Sequence, residues 1–374
     1  FVEIGSMSGL IRKRIPGEMR AFTQSAQSMS VRNTPLINRL NLKDGQVAGP
    51  GGRSSATGKN ITIFGATGFL GGYVVEQLGK KGNNMVVATH GDDMSWRHLR
   101  TTQDLGRLVP SYFSLKDEDS VRESIAGADV VINLMGKKYE TKSFPPSIIN
   151  YSFDDVNVTG AELVARIARE ENVKHLVHVS SAQADKNSAS RFAQTKAIGE
   201  DKVKEQFPGA VIVRPNIMYG EMDHFLDHYQ MHVRFMNWIP LIGGGSSLMS
   251  PVYVADVGTA IGTIAENYVS AGENFNLSGT NEYTTKEVYE YVMHVLRMQR
   301  SFVDVPDAVA EKATWVMDKL PNPYFTTDQV KLAHQDAVRP QPGDKTFSDL
   351  GIDKIADFES KAELFFGFRR QGSH

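Results

Sequence analysis

Three glycines at regular spacing follow a short apolar run at residues 61–64. The run has strand character, the glycines are Gly65, Gly68 and Gly71, and a helical pattern starts at Tyr73. Gly65 permits a tight turn, Gly68 lets the backbone approach a pyrophosphate, and Gly71 allows close helix–strand packing, while the helix N-terminus supplies amides. We therefore predict a dinucleotide-binding turn. Its predicted cofactor contacts are Gly65, Ala66, Thr67, Gly68, Phe69, Leu70 and Gly71.

Three histidines, His224, His228 and His232, recur at every fourth position and would share one face of a helix. Imidazoles at this spacing can in principle hold a metal ion. The sequence has no cysteine to add a thiolate and no H-E-x-x-H pattern, so we predict no metal site. We interpret the three histidines as a face that meets another subunit, with a plain surface helix as the alternative.

Alternating strand and helix patterns must position these candidates. Besides 61–64, strands are predicted at 85–89, 109–113, 128–134, 173–180 and 211–215. Such alternation predicts an α/β fold with a Rossmann-type doubly wound parallel sheet. The carboxyl ends of parallel strands line one crevice, so the residues that follow the strands are candidates for cofactor contact. They are His90, Leu134, Met135, Gly136, Ser180, Ser181, Pro215, Asn216 and Ile217.

Composition excludes several classes of protein. The 374 residues include 41 Lys and Arg against 43 Asp and Glu, a net charge of −2, which excludes a nucleic-acid binder that works by bulk charge. The absence of cysteine excludes a disulfide framework, a thiolate zinc site, an iron–sulfur cluster and a cysteine nucleophile. No run of about 18 uncharged apolar residues occurs, so no helical membrane span is predicted. Redox chemistry in this chain would need a bound cofactor.

Composition also divides the chain into segments. Residues 1–52, which start at Phe1 rather than Met, form a basic, serine-rich arm that suits an organelle address or its remainder, or else a flexible arm without a targeting role. The predicted dinucleotide-binding domain covers 53–220, and 250–264 return to it. A smaller, discontinuous C-terminal α/β domain and tail cover 221–249 and 265–374.

The whole arrangement resembles the short-chain dehydrogenase/reductase superfamily, in its extended or atypical branch. Members of that superfamily pair a serine after the fifth strand with a Tyr-x-x-x-Lys helix. Here the serine is Ser180 or Ser181 and the lysine is Lys196, but Phe192 stands where the tyrosine is expected. Phenylalanine has no hydroxyl to exchange a proton with a carbonyl or an alcohol. The resemblance therefore implies that Ser180, Ser181 and Lys196 are retained for cofactor binding and that no catalytic residue remains.

A series of motifs between residues 49 and 260 narrows the resemblance. The motifs are Gly51-Gly-Arg-Ser-Ser55, Gly65 to Gly71, Asp104-Leu-Gly106, Val131-Ile-Asn-Leu134 with Gly136, Glu140-Thr-Lys142, Asp155-Val-Asn157 with Gly160-Ala161, and Pro251-Val-Tyr-Val with Asp256. In this order they resemble the nucleotide-binding accessory subunits of mitochondrial respiratory complex I. That resemblance implies a tightly held NADPH, no established turnover, and other complex I subunits as partners. It also implies a peripheral position on the matrix side of the mitochondrial inner membrane, near the quinone-reactive region.

The residues after the second strand bear on the choice between NADPH and NADH. Many relatives have an arginine here that would pair with the adenosine 2′-phosphate, whereas this chain has His90 followed by Gly91-Asp-Asp93. Arg97 and Arg100, one or two helical turns beyond, can supply the guanidinium fork that a phosphate prefers, with exposed surface arginines as the alternative. NADPH is the predicted cofactor and NADH the less favoured one. Leu115 completes the set of predicted cofactor contacts.

Two segments outside these motifs are candidates for other contacts. Residues 143–151 resemble an insertion beside the substrate side of the crevice, stiffened by Pro145 and Pro146, that closes the pocket or meets a partner. Residues 362–370 are aromatic and then basic. This end suits a peripheral membrane or lipid contact, a protein groove or, equally, a core-packing tail.

These features together predict a non-catalytic or barely catalytic NADPH-binding subunit of a large membrane-associated assembly. An active NADP-dependent oxidoreductase or isomerase is one alternative, and it would need a proton donor other than residue 192. A free-standing NAD(P)-binding redox sensor is the other alternative. The size of the native particle distinguishes the sensor from the subunit.

Overall fold

The computed structural model describes residues 57–104, 106–137, 139–143, 148–318, 326–337 and 343–366. The predictions for the basic arm at 1–52, the glycine-rich motif at 51–55 and the end of the chain after residue 366 lie outside these residues. Within the described ranges, no helix has the length and apolar character needed to cross a membrane.

Strands and helices alternate through the first two thirds of the described chain. The strands are β1 (Asn60–Phe64), β2 (Asn84–Thr89), β3 (Leu108–Tyr112), β4 (Val130–Asn133), β5 (Thr141–Ser143), β6 (Ile148–Tyr151), β7 (His175–Val179), β8 (Val211–Pro215), β9 (Met218–Tyr219), β10 (Trp238–Ile242), β11 (Leu248–Met249), β12 (Val252–Tyr253), β13 (Asn274–Leu277), β14 (Tyr283–Thr284) and β15 (Ser301–Val305).

The helices include both long amphipathic elements and short connecting turns. They are α1 (Phe69–Lys80), α2 (Asp93–Trp96), α3 (Glu118–Ile125), α4 (Gly160–Glu170), α5 (Arg191–Gln206), α6 (His224–Phe235), α7 (Val254–Glu266), α8 (Thr285–Leu296), α9 (Asp307–Met317), α10 (Thr327–Leu332) and α11 (Phe358–Phe366). A single π-helical turn, Asp155–Thr159, leads into α4. A 3₁₀ segment, Arg97–Thr102, follows α2.

The large sheet is parallel and has the strand order β3-β2-β1-β4-β7-β8-β13 in the described chain. This arrangement confirms the predicted doubly wound α/β fold. The central strands are almost fully buried and mostly apolar because helices cover both faces of the sheet. On one face α1 and α7 pack through Val74 and Ile261, and on the other α4 and α5 pack through Val164 and Val203.

Strand β13 differs from the division of the chain proposed from sequence. That division places residues 274–277 in the smaller domain, whereas the structure pairs β13 with β8 at the edge of the large sheet. Lys345 forms a further parallel bridge to Phe275, and Phe347 is buried against the same core. The edge of β8 would otherwise present unpaired backbone groups, and β13 satisfies them.

A second core holds the smaller unit together. It forms between α6, α8 and α11, with the β10–β15 pair beside them. Phe358, Ala362 and Phe366 are all buried at four-residue spacing on α11, whereas Leu364 is exposed. The core-packing interpretation of the C-terminal segment therefore holds as far as residue 366.

The predicted insertion at 143–151 overlaps a short hairpin. β5 and β6 pair antiparallel, with an irregular register between Thr141 and Lys142. Pro145 and Pro146, the basis of the predicted stiffening, lie outside the described residues. The hairpin is followed directly by the π-helical turn that enters α4.

Candidate functional site

The glycine turn lies where the strand order of the large sheet reverses, between β1 and β4. Gly65 has a φ of +79°, a left-handed conformation that glycine adopts without strain. A Cβ atom at Gly65 would also lie 3.1 Å from the carbonyl carbon of Leu134, so the turn packs directly on the segment after β4. The Gly68 amide donates to the Gly65 carbonyl oxygen over 3.1 Å and closes the turn.

Helix α1 begins at this turn with an open N-terminus. Its N-cap residue is Gly68, which has no side chain to cap the helix, and its first turn has no acidic residue. The first amides of the helix therefore remain available to an anion, and the helix dipole favours one there. A Cβ at Gly71 would lie 2.3 Å from the Ala66 carbonyl oxygen, which explains how the turn can approach the helix so closely.

Lys196 lies on α5 with its ammonium inside the protein. Its side chain is 5% exposed, and Nζ donates to the carbonyl oxygens of Met135 and Val179, both at 3.3 Å. A Cβ at Gly136 would lie 2.8 Å from Nζ, so a larger residue there would displace the ammonium. Burial lowers the pKa of Lys196 to about 8, against the opposing effect of Glu200.

Ser180 and Phe192 accompany Lys196. Ser180 is 6% exposed, and its Oγ has no hydrogen-bond partner among the described residues. Ser181 is partly buried, and its Oγ accepts the Gln183 amide over 3.3 Å. Phe192 is 9% exposed. Lys196 thus binds the backbone next to Ser180, and Phe192, which replaces the tyrosine, lies four residues before Lys196 on the same helix.

Asn157 links these elements, although its role was not predicted from the residues. It lies in the π-helical turn, a feature common at functional sites. Its Oδ1 accepts the Lys137 amide over 3.2 Å, and its Nδ2 donates to Thr195 Oγ1 over 3.1 Å. A Cβ at Gly199 would lie 2.1 Å from the Asn157 carbonyl oxygen. In the sequence Asn157 stood out only as part of the Asp155-Val-Asn157 motif.

Two charged or titratable side chains are buried on the same face of the sheet. His178 on β7 is 2% exposed, and neither ring nitrogen has a hydrogen-bond partner among the described residues. Burial, and secondarily the charge of Lys196, lowers its pKa to about 3. Arg214 on β8 donates to Glu200 at 3.0 Å and to Asp344 at 3.0 Å. This buried triad joins β8, α5 and the segment after residue 343.

The predicted adenosine side of the crevice is more exposed. Thr89 Oγ1 accepts the Gly91 amide over 3.1 Å, and His90 points toward solvent. The Arg100 guanidinium stacks on Trp96 at 4.1 Å and pairs with Asp93 at 3.5 Å. Arg97 is exposed, and no ion pair engages it within the described residues.

Arg100 also lies at a cavity away from the glycine turn. The cavity has a volume of about 560 Å³ and lies beside the C-terminal end of α1, between Gly79 and Arg107. Of the two arginines predicted to bind a 2′-phosphate, Arg97 is therefore the one without a competing acidic partner, while Arg100 is shared with Asp93. Leu115 packs against Gly160 at the start of α4.

The segment after β8 is held by backbone contacts. The Asn216 amide donates to the Leu277 carbonyl oxygen, and Asn216 Nδ2 donates to the Ala337 carbonyl oxygen over 2.7 Å. Pro215 accepts the Ala182 amide, which ties this segment to the loop after β7. Asn216 is thus engaged by the protein itself, and Ile217 is partly buried against the second core.

The histidine face of α6 is largely internal, which corrects its interpretation as a face for another subunit. His232 is 2% exposed, and its Nδ1 lies 2.6 Å from the Tyr289 hydroxyl. The His228 ring lies 4.3 Å from the His232 ring, and only His224 is exposed. The reason is that α8 packs over this face. The described residues contain no group of three side chains arranged to hold a metal.

The site residues fit a dinucleotide. The glycine turn leaves space for a close backbone approach, α1 presents uncapped amides, and Ser180 has a buried hydroxyl without a partner in the described chain. The Lys196 ammonium on α5 is bound to the carbonyl oxygen of Val179, the residue before Ser180. Each of these features suits a polar ligand at the carboxyl ends of β1, β4 and β7.

Residues 61–278 match the NAD dependent epimerase/dehydratase family. The chain is 38% identical over 301 residues to "NADH dehydrogenase [ubiquinone] 1 alpha subcomplex subunit 9, mitochondrial" of Arabidopsis thaliana, covering 78% of this chain and 73% of that protein. It is 39% identical over 311 residues to "NADH-ubiquinone oxidoreductase 40 kDa subunit, mitochondrial" of Neurospora crassa, covering 82% of this chain and 80% of the relative.

A solved structure is similar in fold. The triphenylmethane reductase of Citrobacter sp., complexed with NADP(H), superposes with a TM-score of 0.61 at 15% identity. The superposition covers 82% of this chain and 99% of the reductase. At this identity the likeness concerns the fold alone.

Proposed function

The chain belongs to the NAD dependent epimerase/dehydratase family and, within it, to the alpha subcomplex subunit 9 proteins of mitochondrial NADH dehydrogenase, and from this premise we propose that it is an accessory subunit of respiratory complex I that holds NADPH without turning it over. Its relatives in plants and fungi are mitochondrial by name. The proposed location is the matrix side of the mitochondrial inner membrane, as a peripheral subunit near the quinone-reactive region.

One observation carries the non-catalytic part of this proposal. Lys196 keeps its place at the crevice, whereas residue 192 is a buried phenylalanine without a proton to donate. A binding lysine without its acid is consistent with a cofactor that is retained as part of the structure. Lys196 would then hold the nicotinamide ribose, and Ser180 would donate or accept a hydrogen bond beside it.

The remaining contacts divide along the crevice. The uncapped amides of α1 at Gly68 would hold the pyrophosphate. Arg97 would pair with the adenosine 2′-phosphate, and Arg100 would support it from its stack on Trp96. This arrangement favours NADPH over NADH because the residues after β2 offer two guanidinium groups, although Asp92 and Asp93 add negative charge nearby.

Retention of a nucleotide would stabilise the folded subunit. A ligand that binds only the folded state adds roughly 2.7 kcal/mol at a free concentration one hundred times its Kd. In the assembly this would reinforce the junction between the matrix and membrane arms. A lipid contact of the C-terminal region is a separate part of the proposal, supported in the described chain by the exposed Leu364 on α11.

The test is to extract nucleotide from the gently solubilised native protein and to measure particle size in the same run. We expect about one NADPH per chain in a particle far larger than the single chain. Recovery of the protein only as a monomer or dimer would contradict the subunit assignment and favour a redox sensor. Exchangeable NAD(H), or nucleotide that is oxidised on addition of carbonyl compounds, would contradict a structural NADPH and favour an active oxidoreductase.

A further inference from the structure

Residues 326–337 contact the start of α5, the loop after β7 and the segment after β8, and they lie beyond residues 61–278, which match the family. We name this segment the strap. It consists of α10 and the residues that follow it as far as Ala337. Thr326 and Gln329 form a capping box that starts α10, and Val330 and Ala337 are buried. The strap is therefore a folded element with its own anchors.

The strap binds the N-terminus of α5 through Asp328. The Asp328 carboxylate accepts hydrogen bonds from the Ser190 hydroxyl at 2.7 Å, from the Arg191 amide, and from the Phe192 amide at 3.1 Å. A carboxylate at a helix N-terminus is favoured by the free amides and by the helix dipole. This helix carries both Phe192 and Lys196.

A second contact fastens the strap to the loop after β7. The Ser188 hydroxyl donates to Gln335 Oε1 over 2.6 Å, and Gln335 Nε2 donates to the Gln183 carbonyl oxygen over 3.1 Å. At its far end the strap accepts Asn216 Nδ2 at the Ala337 carbonyl oxygen. The three contacts therefore lie at the N-terminus of α5 and after the carboxyl ends of β7 and β8, which border the crevice.

The other side of the strap is tied to the smaller unit. Asp336 Oδ1 accepts the Leu248 amide over 2.9 Å, and the Ala337 amide donates to the Leu248 carbonyl oxygen over 2.9 Å. The strap thus bridges the two units at the mouth of the crevice. Consistent with a closed mouth, the side chains of Ser180, Phe192 and Lys196 are 6%, 9% and 5% exposed.

We propose that the strap closes the substrate side of the crevice, so that a bound nucleotide is retained and no second substrate enters, with Asp328 as the positioning residue that fixes the strap to α5. The retention part rests on the proposed function. The closure part does not, because the contacts of Asp328 and Gln335 are made within the chain itself.

Closure can be measured with a single thiol, because the chain has no cysteine. Ser180→Cys places the only thiol of the protein inside the crevice. We expect iodoacetamide to alkylate it at least tenfold faster when Asp328→Ala is added, and several-fold faster with Gln335→Ala, which preserves the contact of Asp328 with α5. Thr284→Ala is the matched control. It removes the N-cap of α8, in which Thr284 Oγ1 accepts the Glu287 amide, and leaves the strap contacts in place.

Equal alkylation rates in the Asp328→Ala, Gln335→Ala and Thr284→Ala backgrounds would overturn closure. Retention is measured separately, without the Ser180 substitution, as the rate at which NADPH fluorescence is lost on dilution. We expect Asp328→Ala to release NADPH at least tenfold faster than the unaltered chain and Thr284→Ala to release it at the unaltered rate. Faster alkylation with unchanged release would overturn retention alone. An unaltered chain that binds no NADPH would overturn the proposed function and retention, while the alkylation rates would still decide closure.

Discussion

Lys196 holds a charge where the protein interior disfavours one. Its ammonium has two carbonyl oxygens as partners, and Glu200, whose charge favours the ammonium, already pairs with Arg214. The fall of its pKa from 10.5 to about 8 corresponds to roughly 3 kcal/mol of unfavourable charge burial. A residue that costs stability in the free protein and nevertheless lies at the proposed nucleotide site is typical of a binding role.

We expect Lys196→Met to weaken NADPH binding at least tenfold and to leave the free energy of unfolding at pH 7 unchanged or higher. The physical reason is that methionine removes both the buried charge and the contact with the nucleotide. In the unaltered chain the affinity should also fall as the pH rises above about 8, because Lys196 loses its proton. Fluorescence titration and urea unfolding measure these quantities.

Lys202→Met is the control for this prediction. Lys202 lies on the same helix, is partly exposed and pairs with Glu205, so its loss should alter neither binding nor its pH dependence. If Lys196→Met bound NADPH as tightly as Lys202→Met does, Lys196 would be only a buried structural lysine.

At the scale of elements, the glycine turn and α1 form one unit. Two neighbouring glycines on α1 differ sharply in what surrounds them. A Cβ at Gly71 would lie 2.3 Å from the carbonyl oxygen of Ala66, whereas a Cβ at Gly72 would meet nothing closer than Leu99 at 4.0 Å. Of these two glycines, only Gly71 is therefore needed for the close approach of helix and turn.

We expect Gly71→Ala to lower the free energy of unfolding by about 1–3 kcal/mol, since the backbone must move to relieve the contact. The displaced turn should also bind NADPH more weakly. Gly72→Ala, the matched control, should be neutral or gain up to about 1 kcal/mol from the better helix propensity of alanine. Urea unfolding of both variants measures the difference, and equal stabilities would show that the turn does not constrain the helix.

At the scale of the whole molecule, internal histidines in both units make the folded state less stable in acid. Burial lowers the pKa of His178 and His228 to about 3 and of His232 to about 4. In the unfolded chain these groups titrate near pH 6.5, so below that pH the unfolded state binds more protons and stability falls. Asp223 acts in the opposite direction, because burial raises its pKa to about 6.

The contribution of one histidine can be isolated. His178→Leu should reduce the loss of unfolding free energy between pH 7.5 and 5.5 by about 1.4 kcal/mol, because one buried group no longer has to be protonated on unfolding. His224→Leu on α6, where the histidine is exposed, should leave that loss unchanged. Urea unfolding at a series of pH values provides the comparison. Parallel pH profiles for the two variants would contradict the prediction.

The sequence by itself determined six strands of the large sheet, the glycine turn, the doubly wound arrangement and the replacement of tyrosine by Phe192. These features are local, because the period of apolar residues and the conformational freedom of glycine act over a few neighbouring positions. Residues after the strands were identified for the same reason, since the parallel topology brings strand ends to one edge.

Only the tertiary structure decided features that join distant parts of the chain. Asp328 meets the Phe192 amide across 136 positions, and Arg214 meets Asp344 across 130. No periodic pattern in the sequence marks such pairs. Locally, a charged residue that binds a distant partner cannot be distinguished from an ordinary surface charge. The inward turn of His232 has the same origin, since the packing of α8 on α6, and not the spacing of the histidines, decides which face of the helix is buried.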